Sequence, residues 1–358
     1  ETTEKRFESD IESALLFPGG YVKGSDTYDP ALALYVNTLV GFVQSTQPKE
    51  WARFEKQNQV DPVRKFCLAF NAACDADGLL SVLRHGFKHR GITFHICYFM
   101  PESGLNETAA RRYACNKIEC CRQWYYSADT KKSVDMVLTV NGIPVFAFEL
   151  KNQYTRQNVE NAKRQWMYDR DPRELCFQFN KRILGYFCVD HTEVWMATRL
   201  AGKDTYFLPF NQGSNGAGQD GGKGNPPNPD GYPTAYLWEQ VFQKDSMMDI
   251  LQKFIHLQVK EEKKRMPDGA EKLVKKKTLI FNHQLDVVRK LLADVSANGA
   301  GRNYLIQHSA GSGKSNSIAW TAYRLASLHN REDKPVFSSV VVVTDRTVLD
   351  AQLQETIS

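Results

Sequence analysis

Three side chains in the stretch Ser133 to Asn152, SVDMVLTVNGIPVFAFELKN, could do chemistry together: Asp135, Glu149 and Lys151. Val134, Met136 and Leu138 alternate with Asp135, Val137 and Thr139, which is strand periodicity; Asn141-Gly142 is a hairpin signal, and Pro144 to Leu150 is a second, more apolar run. The pattern predicts two neighbouring strands, with Asp135 near the start of the first and Glu149 and Lys151 on one face at the end of the second. All three then converge at one end of a hairpin. Two carboxylates held about 4 Å apart repel by roughly 4 kcal/mol at an effective dielectric of about 20, so the pair needs a proton or a cation between them. Oxygen ligands select a hard cation, foremost Mg2+, and Asp135, Glu149 and the Leu150 carbonyl are its expected ligands. A water polarised there could attack a phosphodiester, with Lys151 orienting it or stabilising the phosphorane charge. An Asp followed at a distance by Glu-x-Lys is also frequent at solvated strand ends. What sets this one apart is Glu149 after Val-Phe-Ala-Phe, where a charge without a task is costly.

A second constellation lies near the other end of the sequence. Tyr304 to Ile306 reads as a short strand, and QHSAGSGKSNSIAWTAYRL as a Gly-rich turn entering a helix. Gly311, Ser312, Gly313, Lys314 and Ser315 form a phosphate-binding loop: backbone N–H groups and the helix start hold the phosphates, Lys314 reaches the outer ones and Ser315 ligates Mg2+. The nucleotide expected is ATP, because Gln284 in Phe281-Asn282-His283-Gln284 offers an amide that can read the two-sided edge of adenine. His308 departs from the strict pattern, which has Gly or Ala there, and leaves the cradle intact. Ser338 to Thr344 reads as a continuous buried strand, as in a parallel α/β motor domain. No paired acidic strand end able to hold Mg2+ follows Lys314, so the expectation is a nucleotide cradle without the rest of an ATPase.

The elements that must position these groups can be read in order. Glu4 to Phe17 is an amphipathic helix with Phe7, Ile11, Leu15 and Leu16 on one stripe; Glu8 and Glu12 are expected to be solvated, or else one of them approaches the metal. Pro30 to Leu83 is helical, with Leu32, Leu34, Leu39, Phe42, Val63, Phe66, Leu68 and Phe70 as core residues. Strands are expected at Ile92 to Phe99, before the hairpin, and at Leu184 to Val189 and Val194 to Thr198 after it, which would complete a mixed sheet. Between them a helix from about Val159 to Tyr168 carries Gln165, and Lys163, Arg164, Arg170 and Arg173 could neutralise phosphates or simply form a solvated face. Asn211 to Pro233 is rich in Gly, Pro and Asn and reads as a long loop closing the first domain. Tyr236 to Val259 reads as a helix, and the charged stretch Lys260 to Lys277 as a solvated connector or a DNA-facing surface.

Composition sets outer bounds. With 358 residues, 42% of them hydrophobic, the chain can bury a substantial core in two or three domains. The net charge of +5 is mild, so nucleic-acid binding would rely on local patches. No apolar run approaches the roughly 20 residues that span a bilayer and nothing marks a signal peptide, so a cytoplasmic protein without a membrane partner is expected. The eight cysteines show no C-x-x-C pair and read as reduced, mostly buried thiols.

Taken together, the sequence resembles the restriction (motor and nuclease) subunit of type I restriction endonucleases, over nearly its whole length. The likeness is carried by Leu80 to Ser127 with Asn116, Arg122 and Gln123, by VDMVLTVNGIPVFAFELKN, AKRQWMYDRDP, YPTAYLWEQ, the Phe-x-His-Gln entry, His-Ser-Ala-Gly-Ser-Gly-Lys-Ser and the Thr-Asp-Arg-x-x-Leu-Asp ending. The resemblance implies an α/β protein: a PD-(D/E)xK-type nuclease domain, a mixed sheet flanked by helices, followed by the start of a RecA-like P-loop motor domain of superfamily two. The expected division is an endonuclease domain over 1–210, a Gly/Pro-rich loop and connecting helix over 211–259, and a truncated first RecA-like ATPase domain over 260–358. It further implies Asp135, Glu149 and Lys151 as catalytic residues, Gln165 as the family's glutamine after the hairpin, Mg2+ and ATP as cofactors, and double-stranded DNA with methyltransferase and specificity subunits as partners. The activity implied is ATP-dependent cleavage of unmethylated DNA at remote sites. Two other readings stay open: a superfamily-two helicase or remodelling ATPase with a non-cutting DNA-binding domain, and a non-enzymatic assembly module.

Overall fold

The computed structural model describes residues 3–101, 106–265, 271–281, 285–307, 314–330, 332 and 334–343. They fall into two compact units, one formed by residues 1–100, 111–216 and 220–281, the other by 101–110, 217–219 and 282–358.

The first unit is built on the hairpin. Its sheet has seven strands: β1 (Val22–Lys23), β2 (Ile118–Tyr125), β3 (Ser133–Val140), β4 (Ile143–Leu150), β5 (Gly185–Val189), β6 (Val194–Ala197) and β7 (Leu208–Pro209), side by side in that order. β1 runs parallel to β2 and β4 parallel to β5; the other neighbours are antiparallel. The sheet is therefore mixed, as expected. Asn141 and Gly142 join β3 to β4 with φ of 48° and 80°, the left-handed pair that a two-residue hairpin turn demands. A Cβ on Gly142 would stand 2.4 Å from the Tyr35 carbonyl oxygen. Gly142→Ala is therefore expected to cost about 1–3 kcal/mol, read as a lower urea midpoint.

Every residue of β4 is buried, because helices and loops cover both faces of this central strand. On one face Phe148 stacks on Phe187 at 5.1 Å between ring centres and meets Phe242 edge-on at 5.2 Å. Ile11 and Leu15 of the amino-terminal helix Thr3–Leu16 pack on this side against Met136, Leu138 and Leu150. On the other face Val137, Ala147, Tyr186 and Cys188 form a core with Trp166 and Phe177. Each aromatic ring so buried contributes roughly 1.5–3 kcal/mol, and together they hold the strand ends rigid.

Helices Val36–Thr46, Pro48–Gln57, Pro62–Asp77 and Leu79–His85 enclose an aromatic cluster of Trp51, Phe54, Phe66, Phe87 and Phe94. Fully buried Arg182 ties this layer to the sheet by donating to the carbonyls of Leu32 (2.9 Å) and Ala33 (2.8 Å). Of the expected core residues here, Leu68 is exposed instead. No single helix among the described residues is long and apolar enough to cross a membrane.

Three expectations about local structure change. The strand at Ile92 to Phe99 is only Ile92–Phe94, paired with Phe87–His89 outside the main sheet. The helix expected over Tyr236 to Val259 is broken at Phe242 and Gln243 into Leu237–Val241 and then Lys244–Asp249 running on into Ile250–Phe254, and Lys260 to Lys277 is no connector: β8 (Ile255–Arg265) and β9 (Glu271–Phe281) pair antiparallel over eleven rungs. The β-branched Val259, Val274, Thr278 and Ile280 favour an extended chain once its base, Ile255 and Phe281, is buried in the unit.

In the second unit, helices Leu285–Asn298 and Lys314–Ala326 are present. The strand expected at Tyr304 to Ile306 is not, nor is the one expected over Ser338 to Thr344 within its described part, 338–343: these segments are irregular, with Leu305 94% and Val343 88% exposed. A buried parallel strand needs paired neighbours, and among the described residues of this unit no strand stands beside either segment. Gln284, Gly311, Ser312 and Gly313 lie outside the described residues, as do the side chains of Lys314 and Ser315, whose backbone opens the second helix.

Candidate active site

Asp135, Glu149 and Lys151 come together as their spacing requires. The last paired rung between β3 and β4 at this end is Met136 with Phe148. Asp135 stands one residue beyond it, and its Oδ2 accepts the backbone N–H of Leu150 at 2.7 Å, a side chain taking over where the ladder stops. The Lys151 backbone N–H continues to the Val189 carbonyl at 2.8 Å, so β5 holds the lysine in line. Its Nζ donates to the Leu150 carbonyl at 3.1 Å and lies 3.4 Å from Asp135 Oδ2 and 3.9 Å from Glu149 Oε2. Glu149 is fully buried, the Lys151 side chain 4% exposed and that of Asp135 18% exposed, so the site meets solvent on the Asp135 side.

Glu149 sits on the apolar face with Cys188, its partner across β5. Burial, then the negative charge of Asp135, push its carboxyl up to about 8, against the opposing pull of Arg170 and Lys151. Arg170 is the group that sequence reasoning misplaced. It is 6% exposed, not turned to solvent, and both its Nε and Nη2 donate to Glu149 Oε1, at 2.9 and 2.6 Å, while Nη2 also donates to the Ser133 carbonyl at 2.8 Å. Helix Val159–Arg164 leads into a π turn, Gln165–Asp169, and Arg170 follows in extended conformation. The wide turn brings Arg170 back under the sheet, while Trp166 anchors it by donating from Nε1 to the Phe187 carbonyl at 3.2 Å. No pattern in Asp-Arg-Asp-Pro announces this. The only available signal was that buried Glu149 needed a cationic partner.

The other cations of the basic segment are also accounted for. Lys163 pairs with Glu160 at 2.7 Å and lies 3.5 Å over the Trp195 ring, and Arg173 pairs with Asp171 at 2.7 Å; Arg164 is exposed. Gln165 is half-buried and its Oε1 has no hydrogen-bond partner, one turn ahead of Arg170.

The amino-terminal glutamates are buried rather than solvated, because Arg122 of β2 faces them. Its Nε and Nη2 donate to Glu8 Oε2 at 3.1 and 3.0 Å, and Nη1 to Glu12 Oε2 at 3.5 Å. Gln123, held at φ 50° within the strand, donates to Glu8 Oε1 at 3.0 Å and accepts from Ser133 Oγ at 3.1 Å. Of the two, Glu8 adjoins the site: burial and then the charge of Asp135 raise its pKa, while Arg122 and Gln123 pull it down. Asn116 has a different task, bonding Tyr98, Tyr113 and Asn141 to fix the back of the hairpin.

The donor set suits Mg2+, which takes one or two carboxylates and keeps several waters. Among the described residues no group of three or more His, Cys, Asp or Glu forms a full metal cage. The donors present are the Asp135 carboxylate, the Leu150 carbonyl and Glu149 Oε2, a buried oxygen without a hydrogen-bond partner.

Residues 100–205 match the family model for the amino terminus of the type I restriction enzyme R protein. Asp135, Glu149, Lys151, Gln165 and Arg170 all fall within that range. Residues 283–358 match the SWI2/SNF2 ATPase family model, which takes in Gln284 and the Gly-Ser-Gly-Lys-Ser loop. No curated protein matches the chain. The two likenesses, to a restriction-enzyme R protein and to an ATPase, stand in the order that the two constellations occupy in the sequence.

Proposed function

We propose that this chain carries the nuclease domain, over 1–210, and the beginning of the RecA-like ATPase, over 260–358, of a type I restriction subunit that cleaves unmethylated double-stranded DNA in the cytoplasm. The single observation that supports it most is the buried Glu149 Oε2, which accepts no hydrogen bond, beside Asp135 and Lys151. Asp135, Glu149 and the Leu150 carbonyl would hold Mg2+, with Glu8 adjoining. Bound there, the ion would polarise a water and offset phosphate charge. Lys151, kept in place by Leu150 and Asp135, sets an ammonium where negative charge grows on the phosphorus oxygens. Arg170 orients Glu149 and leaves its second oxygen free, and Gln165 is the candidate to position water or phosphate. Methyltransferase and specificity subunits would supply target choice, and ATP bound at Gly311 to Ser315 with Gln284 the energy for translocation.

Calorimetric titration of Mn2+ into the protein tests the site without those subunits. Binding is expected in the wild type and absent from Asp135→Ala and Glu149→Ala; no wild-type binding, with or without DNA, or binding unchanged in both variants, would remove the nuclease reading. One observation favours the non-cutting alternative: Arg170 and Lys151 already neutralise Glu149 internally. That reading predicts no Mn2+ binding and restriction unaffected by Asp135→Ala. Separately, Lys314→Ala in the complete enzyme is expected to lower ATP hydrolysis by about 10²-fold or more, measured as phosphate release, and to leave Mn2+ binding unchanged.

A further inference from the structure

The β8–β9 ribbon concentrates the net charge of the chain. Its two strands carry eight Lys and Arg and three Glu; the whole chain has 46 Lys and Arg and 41 Asp and Glu, so everything outside the ribbon balances at 38 of each. The register then sorts the charges by face, since directly opposed residues share one. On one face Lys260 opposes Lys276 and Lys264 opposes Lys272, with Glu262 and Val274 between. On the other, Glu261 opposes Lys275, Arg265 opposes Glu271, and Lys263 and Lys277 oppose Leu273 and Val259.

The second face keeps two cations in excess, but wherever it opposes charge to charge the signs are opposite; on the first face lysine opposes lysine. Like charges directly opposed destabilise a strand pair, and two such rungs occur on one side. Only Glu262 offsets them, by its 3.3 Å pair with Lys276, and Lys260, Lys264 and Lys272 make no ion pair among the described residues. All four lysines are exposed. They form a rectangle about 5 Å across the strands and about 13 Å along them.

We propose that this lysine face binds the phosphate backbone of double-stranded DNA, a contact that rests on the DNA-acting function proposed above and names a surface for it. A repeating polyanion relieves the opposed lysines along the whole face. From Leu257 to Ile280 the described residues of the strands hold no aromatic side chain, so the lysine face lacks the stacking platforms typical of single-strand binders. An apolar or aromatic anchor of the kind that protein partners need is also missing from the face, apart from Val274. A two-stranded ribbon is slim enough to follow a groove of about 12 Å.

The test is fluorescence anisotropy of a labelled duplex of about 30 base pairs, titrated over a range of salt, where each phosphate contact contributes about 0.9 to the slope of log affinity against log salt. Against wild type, Lys260→Gln, Lys264→Gln, Lys272→Gln and Lys276→Gln combined should lower that slope by about 3–4 and weaken binding by about 10²-fold or more near 0.1 M salt. The same four positions changed to Arg should keep the wild-type slope. Lys263→Gln with Lys275→Gln, on the opposite face, should change it by less than about 1. Because opposed charges are removed, the quadruple Gln variant should melt no lower than wild type. A wild type that binds duplex DNA with a slope unchanged by the quadruple variant overturns the ribbon contact and leaves the DNA-acting function standing. A wild type that shows no salt-dependent binding overturns both. Tighter binding of an RNA duplex of equal length, lost in the same variant, overturns DNA as the occupant.

Discussion

Asp135→Asn is expected to lower magnesium-dependent DNA cleavage by the complete restriction enzyme by about 10³-fold or more, with ATP hydrolysis and DNA binding retained. The substitution is chosen for what it preserves. Asp135 Oδ2 accepts the Leu150 N–H at 2.7 Å, and an asparagine oxygen can do the same, so the end of the hairpin keeps its cap. What disappears is the negative charge that would hold Mg2+ with Glu149 and that faces Lys151 at 3.4 Å. Cleavage of unmodified DNA, followed on gels alongside phosphate release from ATP, separates the two outcomes. Loss of cleavage with an unchanged melting temperature is the expected result; cleavage within about threefold of wild type would take Asp135 out of the chemistry, since three-fold is under 1 kcal/mol of barrier.

Arg170→Met is expected to be strongly destabilising where Glu149 is ionised, by about 3–5 kcal/mol, because it then leaves a buried carboxylate without its main partner. The effect should depend on pH, and the sign follows from Glu149. Its carboxyl is raised from 4.5 to about 8 in the folded protein, chiefly by burial and then by Asp135. A folded pKa above the unfolded one means that the folded state binds the proton more tightly. The contribution of Glu149 to stability is thus complete below about pH 4.5 and is lost as pH rises through about 8. Glu8 is shifted in the same direction. Urea unfolding at about pH 5, 7 and 8.5 should therefore show the Arg170→Met deficit growing with pH in protein without metal. Glu149→Gln, which cannot ionise, should flatten that dependence. A deficit independent of pH would mean that Arg170 acts only through packing and its bond to Ser133.

Much of the site was legible in one stretch of residues because strand periodicity is local. Alternation through Val134 to Thr139, the Asn141-Gly142 turn and the apolar run to Leu150 place Asp135, Glu149 and Lys151 at one hairpin end without reference to the rest of the chain. The family likeness could be read for the same reason: both matched ranges contain compact, contiguous motifs. Partnership between distant charges has no such local signature. The spacing leaves Arg170 either a phosphate-facing cation or part of a solvated face, yet the π turn and the cost of burying Glu149 alone draw it beneath the sheet. Sequence spacing left Glu8 and Glu12 equivalent; only the approach of Arg122 and Asp135 from β2 and β3 distinguishes them. The run Lys260 to Lys277 showed its charge but not its faces, since a single strand does not reveal which lysines will stand opposite one another. That pairing, like the choice of which buried charge meets which, is a non-local property decided when the chain folds.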